Sequence, residues 1–521
     1  MRRLSRTLVA AAVVAPLTAT ALSSPASAAG SSLTVTTIGR EGAKVAATGQ
    51  LENLSTWQTF TFTSGRAVSL PAGRYAVVVD IWNQQDQTDT LGARIVTVSG
   101  AASTVIDARA GHPLAVSLDH PPAGSWHRDD ARLCVADSPA TAEAVNDAGR
   151  IYVIPTASSS LQFAYDSQWS PQQMGPGETA TGDVYAVSGM TTGVPAGPTY
   201  RYQRSTLANV AVQGRKGPNG SDTAMFMLQP QSTTTDCQTD LAGPTVYETT
   251  PYSITAHVNA GNWGVRSDES AAAGDIGSFE SKRRLAAGGS YVQIFDRATW
   301  GPIGSQPSTW YGRLDFGPQM FADPSTQGEE AAAKYSGSLY KGGTLVSAHS
   351  WTDMGPNPGS WQPHVGSAGW YTLNLTAQRY YPGYTFPAGM LSTASTVSEH
   401  YYINPAANAY APAYLTTFVP AGLNMRDQAA PRSSTDVALW LDHQGGDQSI
   451  ADHRGTVRSV QAWASSDGGV TWHAVQVRHV GGNWTAVVPD PASGAVSLRS
   501  TVTDTDGSSA TTTVYRAYGI S

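Results

Sequence analysis

Charge is scarce in this sequence. Asp, Glu, Lys and Arg make up 14% of 521 residues, against roughly 25% in an ordinary soluble domain. The 39 acidic residues outnumber the 32 basic ones, giving a formal net charge of −7. That balance excludes the basic stripe with which proteins grip nucleic acid. Cysteine is scarcer still, with Cys134 and Cys237 alone. Two such residues, with no histidines at matching spacing, make neither a structural zinc site nor a disulfide-dense scaffold. Past Leu22 no run approaches the roughly 20 apolar residues of a spanning helix, so no membrane anchor is expected. The marks of common chemistries are missing too: there is no G-x-S-x-G elbow, no H-E-x-x-H and no P-loop. No cofactor and no metal is implied.

What is abundant points to β-structure. Fourteen Trp, 22 Tyr and 10 Phe are too many rings for a disordered chain. The 52 Gly and 31 Pro, spread without a short period, mark many turns and exclude collagen. Residues 1–29 read as an export segment. Arg2, Arg3 and Arg6 precede an apolar stretch from Leu8 to Leu22, broken by Pro16, and Ala26-Ser27-Ala28 offers a small-residue cleavage site. A secreted, extracellular protein is therefore expected. In an oxidising compartment Cys134 and Cys237 have the opportunity to pair, closing a loop of about one hundred residues; two separate thiols are the alternative.

The remainder divides into four expected units, at 30–118, 119–250, 251–430 and 431–521. The first holds short β-rich runs cut by turns, such as SLTVTTIG, RYAVVVDIW and STVIDA, and reads as a β-sandwich. Alternation is imperfect from Tyr75 to Trp82, as in a strand buried on much of both faces. Pro71-Ala72-Gly73 reads as a turn, with Gly73 supplying a positive φ. The middle units are β-rich with uncertain edges, and the one helical fragment expected is QGEEAAAKYS at 327–336. The last unit has regularly spaced strands and a closing Asp504-Thr505-Asp506-Gly507 hairpin turn. The fold class expected is all-β: several β-sandwich domains in series, the first prealbumin-like and the last immunoglobulin/fibronectin-like.

Candidate functional residues are few. Trp300, Trp310, Tyr311, Trp351, Trp361, Trp370 and Tyr371 crowd one stretch between Gly-rich loops. Rings of this kind stack on sugars or anchor a partner when exposed, and fill cores when buried. Ser465, Asp467, Gly469, Thr471 and Trp472 match the S-x-D-x-G-x-T-W pattern of the Asp box, a hairpin device that stabilises a turn. Glu399 and His400 adjoin, but strand alternation sends them to opposite faces. Asp442-His443 and Asp452-His453 flank a polar loop and read as loop residues, not ligands. Carboxylates such as Asp296, Asp315 and Glu399 have no distinguishing context for hydrolysis.

Three segments of the last unit carry a family resemblance: SVQAWASSDGGVTWHAVQV (459–477), GNWTAVVPDP (482–491) and VSLRSTVTDTDGSSATTTVYRAYGI (496–520). They resemble the closing domain of large secreted subtilisin-like serine peptidases of actinobacteria. VTTIGREG (35–42), LPAGRYAVVVDI (70–81) and STVIDARAGHPLAV (103–116) are similar to a segment that follows the catalytic domain in the same proteins. The most specific match is YRAYG (515–519) after the Asp-Gly hairpin. The family's D-[ST]-G, H-G-T and G-T-S-M-A motifs do not occur here, so its Ser-His-Asp chemistry is not carried over. The resemblance implies the non-catalytic accessory region without the peptidase. The expected function is a secreted binding or spacer module, its partner an extracellular protein or a cell-envelope polysaccharide. A carboxylate-based hydrolase in the middle region and a purely structural stack are the alternatives.

Overall fold

A computed structural model describes residues 31–136, 138–171, 183–217, 223–230, 237, 241, 245–271, 274–303, 308–315, 319–324, 333–353, 361–407, 409–410, 414–442 and 456–521. The export segment at 1–29 and the loop holding His443, Asp452 and His453 lie outside these residues. The described chain is all-β, with β-sheets packed as sandwich-like units in series and only two short 3-10 turns.

The imperfect alternation of the 70s has a direct cause. Strand Gly73–Asn83 is central in a six-stranded sheet. Its Tyr75, Val77 and Val79 pack with Leu33, Val35 and Ile106 of a four-stranded sheet on one side. On the other side Ala76 and Val78 pack with Leu133, Phe163 and Tyr165 of a seven-stranded sheet. Both faces are buried, so both carry apolar side chains. Backbone ladders cross the expected unit edges: Ile151–Val153 pairs with Thr88–Val98, and Tyr252–Val258 joins Val184–Thr192 and Ala208–Gly214. Gly73 corrects the sequence reading. It opens a strand and is not among the positive-φ residues; its role is close approach, since a Cβ would meet Asn53 Nδ2 at 3.0 Å. The turn is held by Tyr75, whose hydroxyl donates to the Pro71 carbonyl at 2.9 Å. Tyr371 repeats this in a second Ala-Gly-x-Tyr context, donating to the Ser367 carbonyl at 2.7 Å.

The largest sheet has twelve strands and positions the site. Its hydrogen-bonded order is Thr344–Asp353, Ala333–Lys341, Gly369–Arg379, Ala394–Ile403, Ser509–Ile520, Ala495–Asp504, Val457–Ser465, His473–Val480, Asn483–Pro489, Ser434–Asp442 and Leu415–Pro420, with Gln428–Ala429 beside Ser509–Ile520. The expected helix at 327–336 is overturned for its described part. Residues 333–336 belong to strand Ala333–Lys341, where Ala333, Tyr335, Gly337 and Leu339 are buried in alternation. The period-2 burial overrides the helix propensity of the alanines.

Candidate functional site: a hydroxyl face with aromatic corners

Two cores lie on one side of the twelve-stranded sheet. Leu373, Leu375, Val397 and Tyr401 enter one, and Val460, Leu498, Val502 and Val514 enter the other. Alternation then sends the intervening residues of five adjacent strands to a single outer face. Register places Ser338, Asn374, Ser398, Thr511 and Thr501 in one cross-strand row. Ser336, Thr376, Thr396, Thr513 and Arg499 form the next. Side-chain bonds run along each row: in the first, Ser398 Oγ donates to Asn374 Oδ1 at 2.7 Å and the Thr501 and Thr511 hydroxyls lie 2.8 Å apart, and in the second Arg499 Nε donates to the buried Thr513 hydroxyl at 3.3 Å. Short polar side chains with interstrand bonds make a flat surface of fixed donors and acceptors.

Aromatic rings stand at opposite corners of this face. At one corner Trp370 is 39% exposed and Tyr402 50% exposed. Their centroids are 6.0 Å apart with planes at 77°, while His400 stacks on Trp370 at 5.1 Å and bonds to Thr372 Oγ1 at 3.0 Å. At the other corner Trp472 meets Tyr515 edge-on at 6.4 Å, with the Arg499 guanidinium 4.0 Å above the Trp472 ring. The Asp box builds this corner. Asp467 accepts from Val470 N at 3.0 Å, from Thr471 N at 2.9 Å, and from the Thr471 and Ser465 hydroxyls. Gly469 sits at φ +92, and a Cβ there would strike the Tyr515 ring at 2.5 Å. Trp472 Nε1 closes the turn on the Gly469 carbonyl at 2.9 Å.

The other sequence candidates go elsewhere. Trp300 is 1% exposed, with the Arg379 guanidinium 5.7 Å from its centroid, so both ring faces are enclosed and the binding role expected for it has no surface. Trp351 stacks on Tyr335 at 5.1 Å, and Trp361 lies over Gly337, where a Cβ would meet its ring at 2.3 Å. Both are half-buried against the inner core. Tyr371 is buried. Trp310 ends a short strand, and Tyr311 is 80% exposed in the turn after it. Among the rings whose side chains are described, the structure brings only Trp370 onto the outer face. Sequence reasoning missed Tyr402, Tyr515 and Arg499; the available signal was the alternating Thr, Ser and Asn of the strands beside them.

Cys134 and Cys237 form a disulfide, buried with Ala164 and Leu241. The carboxylates considered for hydrolysis are dispersed. Asp296 follows a strand of the seven-stranded sheet, Asp315 lies in a three-stranded one, and Glu399 is in the inner core of the twelve-stranded sheet. Glu399 and His400 take opposite faces, as alternation requires. Among the described residues no three His, Cys, Asp or Glu side chains are grouped to hold a metal.

Burial pushes the Glu399 carboxyl up to about 8. Burial and the Asp89 carboxylate push Asp80 to about 8 as well. Hydrogen bonds from Thr471 and Ser465 hold Asp467 well below the carboxylate range. The raised groups favour the folded state below pH 4, and that contribution is lost as pH rises toward 8. Asp467 contributes above pH 4 and loses its contribution below it. The urea midpoint is therefore expected to be higher at pH 5 than at pH 8, and Glu399→Gln should shrink that difference. An equal or higher midpoint at pH 8 would refute the assignment.

No protein-family model matches the chain, and no curated protein matches it. Among solved structures, it aligns with BcpA, the major pilin subunit of Bacillus cereus, at 8% identity and a TM-score of 0.14, covering 51% of this chain and 98% of the pilin. It aligns with Salmonella alpha-2-macroglobulin reacted with methylamine at 10% identity and a TM-score of 0.17, covering 91% of this chain and 37% of that one. Trypsin-activated alpha-2-macroglobulin from Escherichia coli gives 10% identity and a TM-score of 0.14, with 90% and 39% covered. The chain thus spans well under half the length of either macroglobulin. At these TM-scores the likenesses carry no argument about this protein.

Proposed function

We propose that this protein is a secreted, non-catalytic stack of β-domains that binds a cell-envelope polysaccharide. The observation that carries the reading is the exposed His400–Trp370–Tyr402 array at the corner of a hydroxyl-rich sheet face. Sugar rings present apolar C–H faces and hydroxyl edges. The indole and phenol rings take the first, and the Ser, Thr and Asn rows take the second. The export segment at 1–29 supports an extracellular setting. The likeness of 70–81, 459–477 and 515–519 to accessory segments of subtilisin-like peptidases supports a role beside catalysis. Within this reading the first unit is prealbumin-like and the last immunoglobulin/fibronectin-like.

Affinity electrophoresis through gels containing cell-wall polysaccharide, soluble chitin or soluble cellulose derivatives tests it. The full protein is expected to be retarded by at least one of these. Trp370→Ala, at an exposed ring, should weaken binding by about 2 kcal/mol, or roughly 30-fold, as for an aromatic anchor, and leave the circular dichroism unchanged. Absence of retardation by every glycan would reject the reading in favour of a purely structural stack.

An extracellular protein partner is a second reading, favoured by one feature. Strand Thr344–Asp353 ends the described twelve-stranded sheet with Leu345 and Val346 exposed at 53% and 42%. A free edge with apolar side chains is a template for strand addition.

A further inference from the structure

A cavity of ≈ 380 Å³ opens where five distant segments meet, behind the carboxyl end of the last strand. Its volume lies in the range of small-ligand sites. Lys216, Arg426 and Arg516 line it, and among the described lining residues there is no Asp or Glu. Among the described residues none of the three makes an ion pair. Two buried carboxylates lie behind the lining: Asp427, held by Arg215 at 2.7 Å, and Asp296, whose Cγ is 3.7 Å from where a Cβ on Gly217 would sit. One cavity thus gathers three cationic residues in a protein of net charge −7.

Hydrogen bonds hold the backbone that carries the three cations, and Arg516 is also anchored by its side chain. Lys216 N donates to the Met425 carbonyl at 3.0 Å. Asn424 Oδ1 accepts from Arg426 N at 2.8 Å and Gln428 N at 3.1 Å. Arg516 N donates to Ser497 Oγ at 2.9 Å and its Nε to the Met390 carbonyl at 2.7 Å, with Arg516 at φ +55. That left-handed conformation is uncommon for a side chain of this size. It turns Arg516 away from the alternation of its strand, and the Arg516 carbonyl in turn accepts from Ser392 N at 2.8 Å. Guanidinium and ammonium donors around a cavity are the chemistry that recognises an oxyanion.

We propose that this cavity is a binding site for a small oxyanion, a carboxylate or phosphate of sugar size or less, held by Lys216, Arg426 and Arg516. The inference does not rest on polysaccharide binding at the outer face. It also gives the YRAYG segment a reason beyond packing, since its arginine is the one of the three whose side chain is anchored by a hydrogen bond among the described residues.

Calorimetric titration of the full protein with sodium glucuronate, with inorganic phosphate and with neutral glucose tests the site. At least one of the two anions is expected to bind saturably and to weaken in 1 M salt, while glucose does not bind. Phosphate alone would assign a phosphate site; glucuronate alone would assign a carboxylate site. Arg426→Gln and Lys216→Gln, chosen because neither side chain supports the fold through a hydrogen bond, should each weaken binding roughly tenfold with unchanged melting curves. Arg516→Gln removes an anchor as well as a charge and is the less clean variant. Failure of both anions to bind, or affinities unaltered in both clean variants, would overturn the proposal.

Discussion

Removal of the Cys134–Cys237 bond is expected to cost about 4 kcal/mol of stability. The two residues are 103 positions apart, and the chain-entropy model gives about 4.7 kcal/mol for a loop near 100 residues. The bond joins Cys134, on strand Trp126–Val135, to Cys237 in a small buried cluster with Ala164 and Leu241. Replacing both residues by Ala avoids burying hydroxyls in the apolar space beside Ala164. Urea unfolding of Cys134→Ala/Cys237→Ala against the parent, each with and without reductant, checks this. Reductant should lower the parent's midpoint toward that of the variant and leave the variant unchanged. A variant as stable as the oxidised parent would refute it.

The second large effect is expected at Arg215. Its guanidinium is 9% exposed and donates to Asp427, whose side chain is 2% exposed, joining the end of strand Ala208–Gly214 to the turn before Gln428–Ala429. Burial pushes the Asp427 carboxyl up to about 6, even with Arg215 beside it and Arg297 near. The ion pair thus stands against a substantial desolvation cost. Arg215→Met leaves Asp427 buried without its partner, and breaking such a pair typically costs about 3–5 kcal/mol. Arg215→Met/Asp427→Leu removes both charges and should recover most of the loss. Denaturant midpoints of the parent, the two single variants and the double variant decide the matter. A double variant as unstable as Arg215→Met would show that packing, not charge, is at stake.

Local features of this fold were legible in the sequence, and distant pairings were not. The Asp box was readable because all its partners lie between Ser465 and Trp472. The opposed faces of Glu399 and His400 follow from alternation alone. The mixed pattern of Tyr75–Trp82 correctly indicated burial on both faces. The outer face, in contrast, exists because Ala394–Ile403 pairs with Ser509–Ile520 across more than a hundred intervening residues. No local pattern fixes that register. The ring-rich stretch from Trp300 to Tyr371 was ambiguous for the same reason: whether an indole is core or platform depends on which sheet covers it. Lys216, Arg426 and Arg516 carry no shared motif, and only folding brings them to one cavity.

Under the proposed function, one continuous outer face, spanning strands from both the third and the last expected units, takes the polysaccharide. Four strand intervals of ~4.8 Å separate strand Gly369–Arg379 from Val457–Ser465, a width of ~19 Å. Hydroxyl-radical footprinting of the protein with and without bound cell-wall polysaccharide addresses this directly. Protection is expected at Trp370 and Tyr402 at one corner and at Trp472 and Tyr515 at the other, with Trp57 and Trp82 unchanged. Protection confined to rings away from this face, or none at saturating polysaccharide, would contradict it.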